Sequence, residues 1–181
     1  IHSQAVTEKR GSFGSWTMLL AIAAFSLSLL GAFLVRSGVL TSVHSFAADP
    51  ARGLFILAFL GAVIGGALLV YVLRAPRLAQ GKPFAAYSRE TLLLVNNLLL
   101  ASACAMVLFG TLYPLLADAL GLGKVSVGPP YFGTLFLVLM APLVLLVPFG
   151  PLTRWQQEQP SKPLAMLLPW LGLAAALGVI A

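Results

Sequence analysis

Long apolar runs separated by short polar segments dominate this chain. Each of five runs carries no charged residue and approaches the length of about 20 residues that a helix needs to cross a bilayer core. The pattern predicts membrane-spanning helices over residues 16–35, 53–73, 91–117, 131–149 and 164–181, the last one truncated. We therefore expect an all-α protein, a polytopic transmembrane helical bundle in which residues 1–181 form a single transmembrane domain.

The segment between the first two spans, residues 36–50, is too short for a folded domain and too apolar for a solvated loop. Its apolar side chains recur at the spacing i, i+4 and i+7, in Val39, Val43 and Phe46. This spacing predicts a short interfacial helix, and His44 projects from it. Asp49 and Pro50 then suit the N-cap and the first helical residue of the second span.

The positive charges are unequally shared between the two sides of the membrane. Alternate polar segments on one side carry eight of the eleven basic residues: Lys9, Arg10, Arg74, Arg77, Lys82, Arg89, Arg154 and Lys162. The segments on the other side carry three: Arg36, Arg52 and Lys124. Because basic loops stay in the cytoplasm, the charge pattern predicts that the His44 segment faces outward, which is towards the periplasm if the host is a Gram-negative bacterium.

The composition agrees with a lipid environment and excludes several functions. Hydrophobic residues make up 60% of the chain and charged residues only 9%, so lipid is the solvent for most of it. The net charge of +6 is scattered and forms no basic patch, which argues against nucleic acid. The single cysteine, Cys104, cannot form an internal disulfide. No phosphate-binding loop, nucleophile triad or carboxylate pair is present.

His44 permits two interpretations from the residues alone. A lone histidine at an interface most often hydrogen-bonds water or lipid. The second hypothesis is a haem-iron ligand, since imidazole is a common axial ligand and a short anchored helix would hold it rigidly. In that case Arg36 and Arg52, at the outer ends of the flanking spans, are candidates to pair with haem propionates.

His2 also has two interpretations. It lies just before the basic pair Lys9 and Arg10, so the charge pattern places it on the inner side, where it would end a preceding span. A histidine within the membrane is a candidate functional residue because its burial in lipid is costly. A terminal histidine is equally compatible with simple exposure.

Other features of the spans indicate packing. The Gly61-x-x-x-Gly65 pair permits close helix approach, and the Asn96-Asn97 pair predicts hydrogen bonds between helices. Tyr131 and Phe132 follow a rigid Gly-Pro-Pro turn, where aromatic residues usually form an interfacial belt.

Several stretches are more distinctive than these general patterns. They are HSQAVTEKRG at 2–11, FLVRSGVLTSVHSF at 33–46, DPARG at 49–53, the asparagine pair at 96–97, GTLYP at 110–114 and KVSVGPPYF at 124–132. In this order and at these spacings, the stretches resemble the CcmF family of bacterial cytochrome c haem lyases. The resemblance covers most of the chain and implies an internal fragment, because the family's Trp-rich outer segment is not in it.

The resemblance implies two haem sites. His44 resembles one of two outer histidines that hold the haem being delivered, and His2 resembles one of two membrane histidines that bind a b-type haem. The partner histidine of each pair is outside these 181 residues, so neither site is complete in this chain.

The resemblance also implies a reaction and its partners. Haem vinyl groups would be joined by thioether bonds to the two cysteines of a Cys-x-x-Cys-His segment in apocytochrome c. The haem chaperone CcmE would deliver the haem, and a CcmH-type thiol-handling subunit would complete a complex in the bacterial inner membrane. We expect catalysis by positioning rather than by a general base, and no activity from these 181 residues alone.

Two other functions fit some of the same features. A transporter or channel segment would use the asparagine pair and the prolines to shape a polar path, but its spans would usually hold ionisable residues. An electron carrier with b-type haem would usually pair histidines within its spans, and none of the complete spans contains one.

Overall fold

A computed structural model describes residues 1–37, 50–78, 81, 83–157, 159 and 161–180. Within these residues all regular structure is helical, which confirms the all-α class. The helices are α1 (His2–Arg10), α2 (Gly14–Arg36), α3 (Pro50–Arg74), α4 (Arg89–Ala119), α5 (Pro129–Leu146), α6 (Phe149–Leu152) and α7 (Ser161–Ile180), with a 3-10 turn at Ala75–Arg77. The five predicted spans correspond to α2, α3, α4, α5 and α7, which each begin two or three residues earlier than predicted.

Local sequence explains where several helices begin and end. Pro50 and Pro129 are the first residues of α3 and α5, where a missing backbone N–H costs no hydrogen bond. Ser88 caps α4 through its hydroxyl, which accepts a 3.2 Å hydrogen bond from the N–H of Thr91. Gly11 closes α1 in the left-handed conformation, with φ at 69°. The predicted interfacial helix lies outside the described residues.

The chain divides into two compact units. The first, Ile1–Lys82, contains α1, α2 and α3, and its main contact is between α2 and α3. The hydroxyls of Thr7 and Thr17 share a 2.8 Å hydrogen bond that joins α1 to the beginning of α2. The second unit, Pro83–Ala181, is built on the contact between α4 and α5, with α6 packed against both α4 and α7.

Most apolar side chains of the long helices face outward. In each of the five candidate spans, at most 6% of the most apolar stretch is buried within the structure. Large side chains such as Phe55 on α3 and Leu137 on α5 are about 70% exposed, at 71% and 68%. Such surfaces are unfavourable in water and favourable in hydrocarbon, while each helix satisfies its own backbone hydrogen bonds.

Candidate functional site

The end of α2 and the beginning of α3 approach closely on either side of residues 38–49. A Cβ atom built on Gly53 would lie 2.9 Å from Cα and 3.0 Å from Cβ of Ser37. Arg36 precedes Ser37, and Arg52 precedes Gly53, so both candidate propionate-binding residues lie at this end of the first unit. Both arginines are exposed. His44 itself lies outside the described residues.

Replacing Gly53 with alanine is expected to separate these two helix ends. The atoms that the new methyl group would meet include the backbone of Ser37, which cannot rotate away, so we expect a loss of about 1–3 kcal/mol in unfolding free energy. Gly61→Ala on the same helix is the matched control, because nothing lies within 4 Å of its added Cβ. Reversible unfolding in mixed micelles measures both, and equal stability of the two variants would contradict the close contact.

His2 lies far from that end of α2. It is the first residue of α1, its side chain is exposed, and α1 is joined to α2 through Thr7 and Thr17. From Thr17 to Arg36 the helix advances about 30 Å at about 1.5 Å per residue. The structure therefore does not bring His2 together with the arginine pair, and any iron bound at His2 would occupy a separate site.

Polar contacts join the beginning of α4 to residues 151–156. Arg89 and Glu90 make these contacts from α4, and we call the whole set the Arg89 clasp. The guanidinium of Arg89 donates to the carbonyl oxygens of Thr153 at 2.9 Å and Pro151 at 2.7 Å. It also lies 5.1 Å from the centre of the Trp155 ring, within cation–π range.

The Glu90 carboxylate and several backbone groups add further hydrogen bonds between the two segments. Glu90 is only 2% exposed and accepts a 2.8 Å hydrogen bond from the backbone N–H of Gln156. Two further backbone bonds join Arg89 to Arg154 at 2.9 Å and Ala85 to Gln156 at 2.7 Å. The buried polar atoms of this end of α4 are thus hydrogen-bonded to a segment that lies more than 60 residues away in the sequence.

The charge pattern alone did not single out the clasp, since it counted Arg89 and Arg154 only as loop charges. One signal in the sequence was available. Glu90 is one of five acidic residues and lies in the first turn of a helix, where a carboxylate is favoured by the helix dipole. Its pairing with the 151–156 segment depends on tertiary structure.

Tyr131 and Phe132 pack against α4. A Cβ built on Gly110 would lie 2.5 Å from a ring carbon of Tyr131 and 2.9 Å from one of Phe132. The Tyr131 hydroxyl donates to the carbonyl oxygen of Met106 at 3.2 Å, and the two rings meet edge to face. The Gly110 and Gly-Pro-Pro-Tyr-Phe stretches therefore form one helix–helix contact.

Replacing Gly110 with valine is expected to force α4 and α5 apart. The Tyr131 ring is held by its hydrogen bond to Met106, so it can relieve the overlap only by losing that bond. We expect a cost of about 1–3 kcal/mol. Gly133→Ala is the control, since nothing lies within 4 Å of the added Cβ on α5. A melting temperature for Gly110→Val equal to or above the control would contradict this packing.

The sequence predicted that two pairs of residues, the glycines 61 and 65 and the asparagines 96 and 97, make contacts between helices. Nothing lies within 4 Å of a Cβ built on Gly61 or Gly65, so no other helix closely approaches this pair within the described residues. Asn96 and Asn97 are both half-buried on α4, and Asn97 has an interaction partner.

Five helices of spanning length, with apolar side chains facing outward, define a multi-pass α-helical membrane protein. The chain belongs to the CcmF family of cytochrome c-type biogenesis proteins, as comparisons with known proteins show. It is 62% identical to CcmF of Pseudomonas aeruginosa over 98% of the chain and 54% identical to CcmF of Escherichia coli over 94%. It is 55% identical to CycK of Rhizobium meliloti over the whole length of the present chain.

The chain spans about a quarter of the length of these relatives, from 26% to 28%. No family model and no solved structure matches it. These relatives are bacterial proteins that are named for cytochrome c-type biogenesis.

Proposed function

We propose that the protein positions haem at the outer face of the bacterial inner membrane for covalent attachment to apocytochrome c, as a haem lyase subunit. The observation that carries this proposal is the 54–62% identity to CcmF proteins over nearly the whole chain. The match to the Pseudomonas aeruginosa relative covers 177 of the 181 residues and so includes residue 44.

In this proposal haem is the substrate and His44 is one of its axial ligands. Each thioether forms when the S–H of an apocytochrome cysteine adds across a haem vinyl C=C bond, so no leaving group is released. Such an addition gains most from holding thiol and vinyl group in a reactive geometry. Arg36 and Arg52, at the end of the first unit where α2 meets α3, would pair with the propionates and set the orientation of the ring.

His2 is proposed as an axial ligand of a separate b-type haem in the membrane. Its exposed position at the start of α1 leaves the imidazole accessible to iron. Among these 181 residues the only other histidine is His44. Such a haem would supply one-electron chemistry when bound. His2 would hold its iron.

The partners follow from the same proposal. CcmE would deliver the haem, apocytochrome c would receive it, and a CcmH-type subunit would present reduced cysteine thiols. The His44 segment would face the periplasm, and the basic segments, including the Arg89 clasp, would face the cytoplasm.

The test uses the natural protein that carries this chain, in a bacterial strain that lacks it. We expect that the strain makes no covalently haem-stained cytochrome c, that the protein restores it, and that the purified protein shows a reduced haem absorption spectrum. Mature cytochrome c in the unsupplemented strain, or a purified protein without haem absorption, would refute the proposal.

A further inference from the structure

An apolar groove runs along the first unit between α2 and α3. It has a volume of about 350 Å³, and its lining includes Met18 and Ile22 from α2 and Gly66 and Val70 from α3. Nothing lies within 4 Å of a Cβ built on Gly66, so the space beside this residue is not filled by other protein atoms. The volume is near the lower end of the range of about 300–1,000 Å³ that is usual for ligand pockets.

One end of the groove is positively charged. Arg74, the last residue of α3, is part of its lining, and Arg77 follows in the 3-10 turn. Both side chains are exposed, and neither has a hydrogen-bond or ion-pair partner within the residues that the structure describes. The described lining contains no acidic residue. A ligand that fits this charge distribution has an anionic head and an apolar tail.

The size of the groove favours a thin occupant. Ala75 and Leu78, at the 3-10 turn, line the groove together with Arg74. The groove volume of about 350 Å³ is several times smaller than that of a transmembrane helix about 10 Å wide and about 30 Å long. A single acyl chain is thinner than a helix, so it can lie along Met18 and Gly66 while a phosphate group remains at the helix end.

We propose that this groove binds an anionic phospholipid, with one acyl chain between α2 and α3 and the headgroup phosphate paired with Arg74 and Arg77. Basic sites between membrane helices attract anionic lipid headgroups, and each arginine near the surface contributes enough for about a five-fold change in affinity. The bound lipid would fill the groove and hold the end of α3 against α2. Met18 lies near the beginning of α2, whereas Arg36 is its last residue, so this site is distinct from the proposed propionate-binding end of the first unit.

The experiment uses the natural protein that carries this chain, reconstituted into nanodiscs. Photoactivatable phosphatidylglycerol and phosphatidylcholine with the same acyl probe are added separately, and mass spectrometry locates the crosslinks. We expect the peptides that contain Met18 and Tyr71 to be labelled about 25-fold more by phosphatidylglycerol, about five-fold for each arginine. Arg74→Gln should lower this labelling about five-fold, and the double variant Arg74→Gln, Arg77→Gln should lower it to the phosphatidylcholine level.

Two control pairs separate headgroup recognition from groove filling. Lys124→Gln removes an exposed basic residue of the second unit, outside the described lining, and should leave labelling unchanged. Gly66→Leu fills the groove and should reduce labelling by both lipids, while Gly61→Leu, outside the described lining, should not.

Four outcomes would overturn the proposal. They are equal labelling by the two lipids, an Arg74→Gln variant that is labelled like the wild type, loss of phosphatidylglycerol labelling in excess inorganic phosphate but not in sodium chloride of the same ionic strength, and crosslinks that join the groove to another protein segment instead of lipid. The third outcome would indicate a free-phosphate site. The fourth would indicate a helix as the occupant.

Discussion

Replacing His44 with alanine is expected to reduce holocytochrome c formation at least tenfold in cells that depend on the natural protein. If His44 binds haem iron, the substitution removes an axial ligand. Even changes to residues that only orient a metal ligand commonly cost about 10–100-fold. Covalent haem staining of periplasmic cytochromes measures the effect, and the reduced spectrum of the purified variant should lose the signal of the outer haem.

Two comparisons distinguish an iron ligand from a residue that only supports local structure. Ser45→Ala changes the neighbouring residue but removes no imidazole, so it should retain cytochrome assembly. Added imidazole should partly restore assembly in the His44→Ala cells, because it can occupy the vacant position on the iron. Normal assembly without imidazole in these cells would show that the role assigned to His44 is wrong.

Replacing Arg89 with alanine is expected to lower the unfolding free energy by about 2–4 kcal/mol. The substitution removes hydrogen bonds to the carbonyl oxygens of Thr153 and Pro151, together with the contact to the Trp155 ring. A charged donor contributes more than a neutral one, and the carbonyl group of Thr153 loses its partner while partly shielded from water. Reversible unfolding of the purified protein in mixed micelles measures the loss.

Arg89→Lys separates charge from geometry in the clasp. Lysine keeps the positive charge, but its single ammonium group lacks the planar fork that reaches two carbonyl oxygens and lies over an aromatic ring. We therefore expect lysine to recover less than half of the lost stability. Full recovery would mean that charge alone stabilises this end of α4, and a stable alanine variant would contradict the clasp altogether.

The two haem hypotheses, for His44 and for His2, depend on the resemblance to the family and not on the residue pattern alone. From pattern alone, a lone histidine such as His44 is more often a surface residue than a ligand. The chain is 62% identical over nearly its whole length to a protein named for cytochrome c-type biogenesis, and the haem role of His44 stays a prediction. The chain covers 27% of that relative.

The positions of the long helices were predictable from the sequence because they depend on a local property. Twenty apolar residues without charge form a helix in a membrane whatever their neighbours are, since every backbone group must be bonded within the segment. The predicted and observed starts of the helices therefore differ by only two or three residues. Pro50 and Pro129 begin helices for an equally local reason, the lack of a backbone N–H.

Contacts between distant segments were decided only by the tertiary structure. Close packing was predicted at Gly61 and Gly65, but among the glycines of the described helices the tight approaches are at Gly53 and Gly110. Likewise, Arg89 and Glu90 resemble ordinary loop charges until residues 151–156 are placed beside them. Sequence alone determined that this chain is a set of membrane helices, because hydrophobicity acts on each segment separately. Which side chains meet depends on how those helices pack, and packing is a property of pairs of segments.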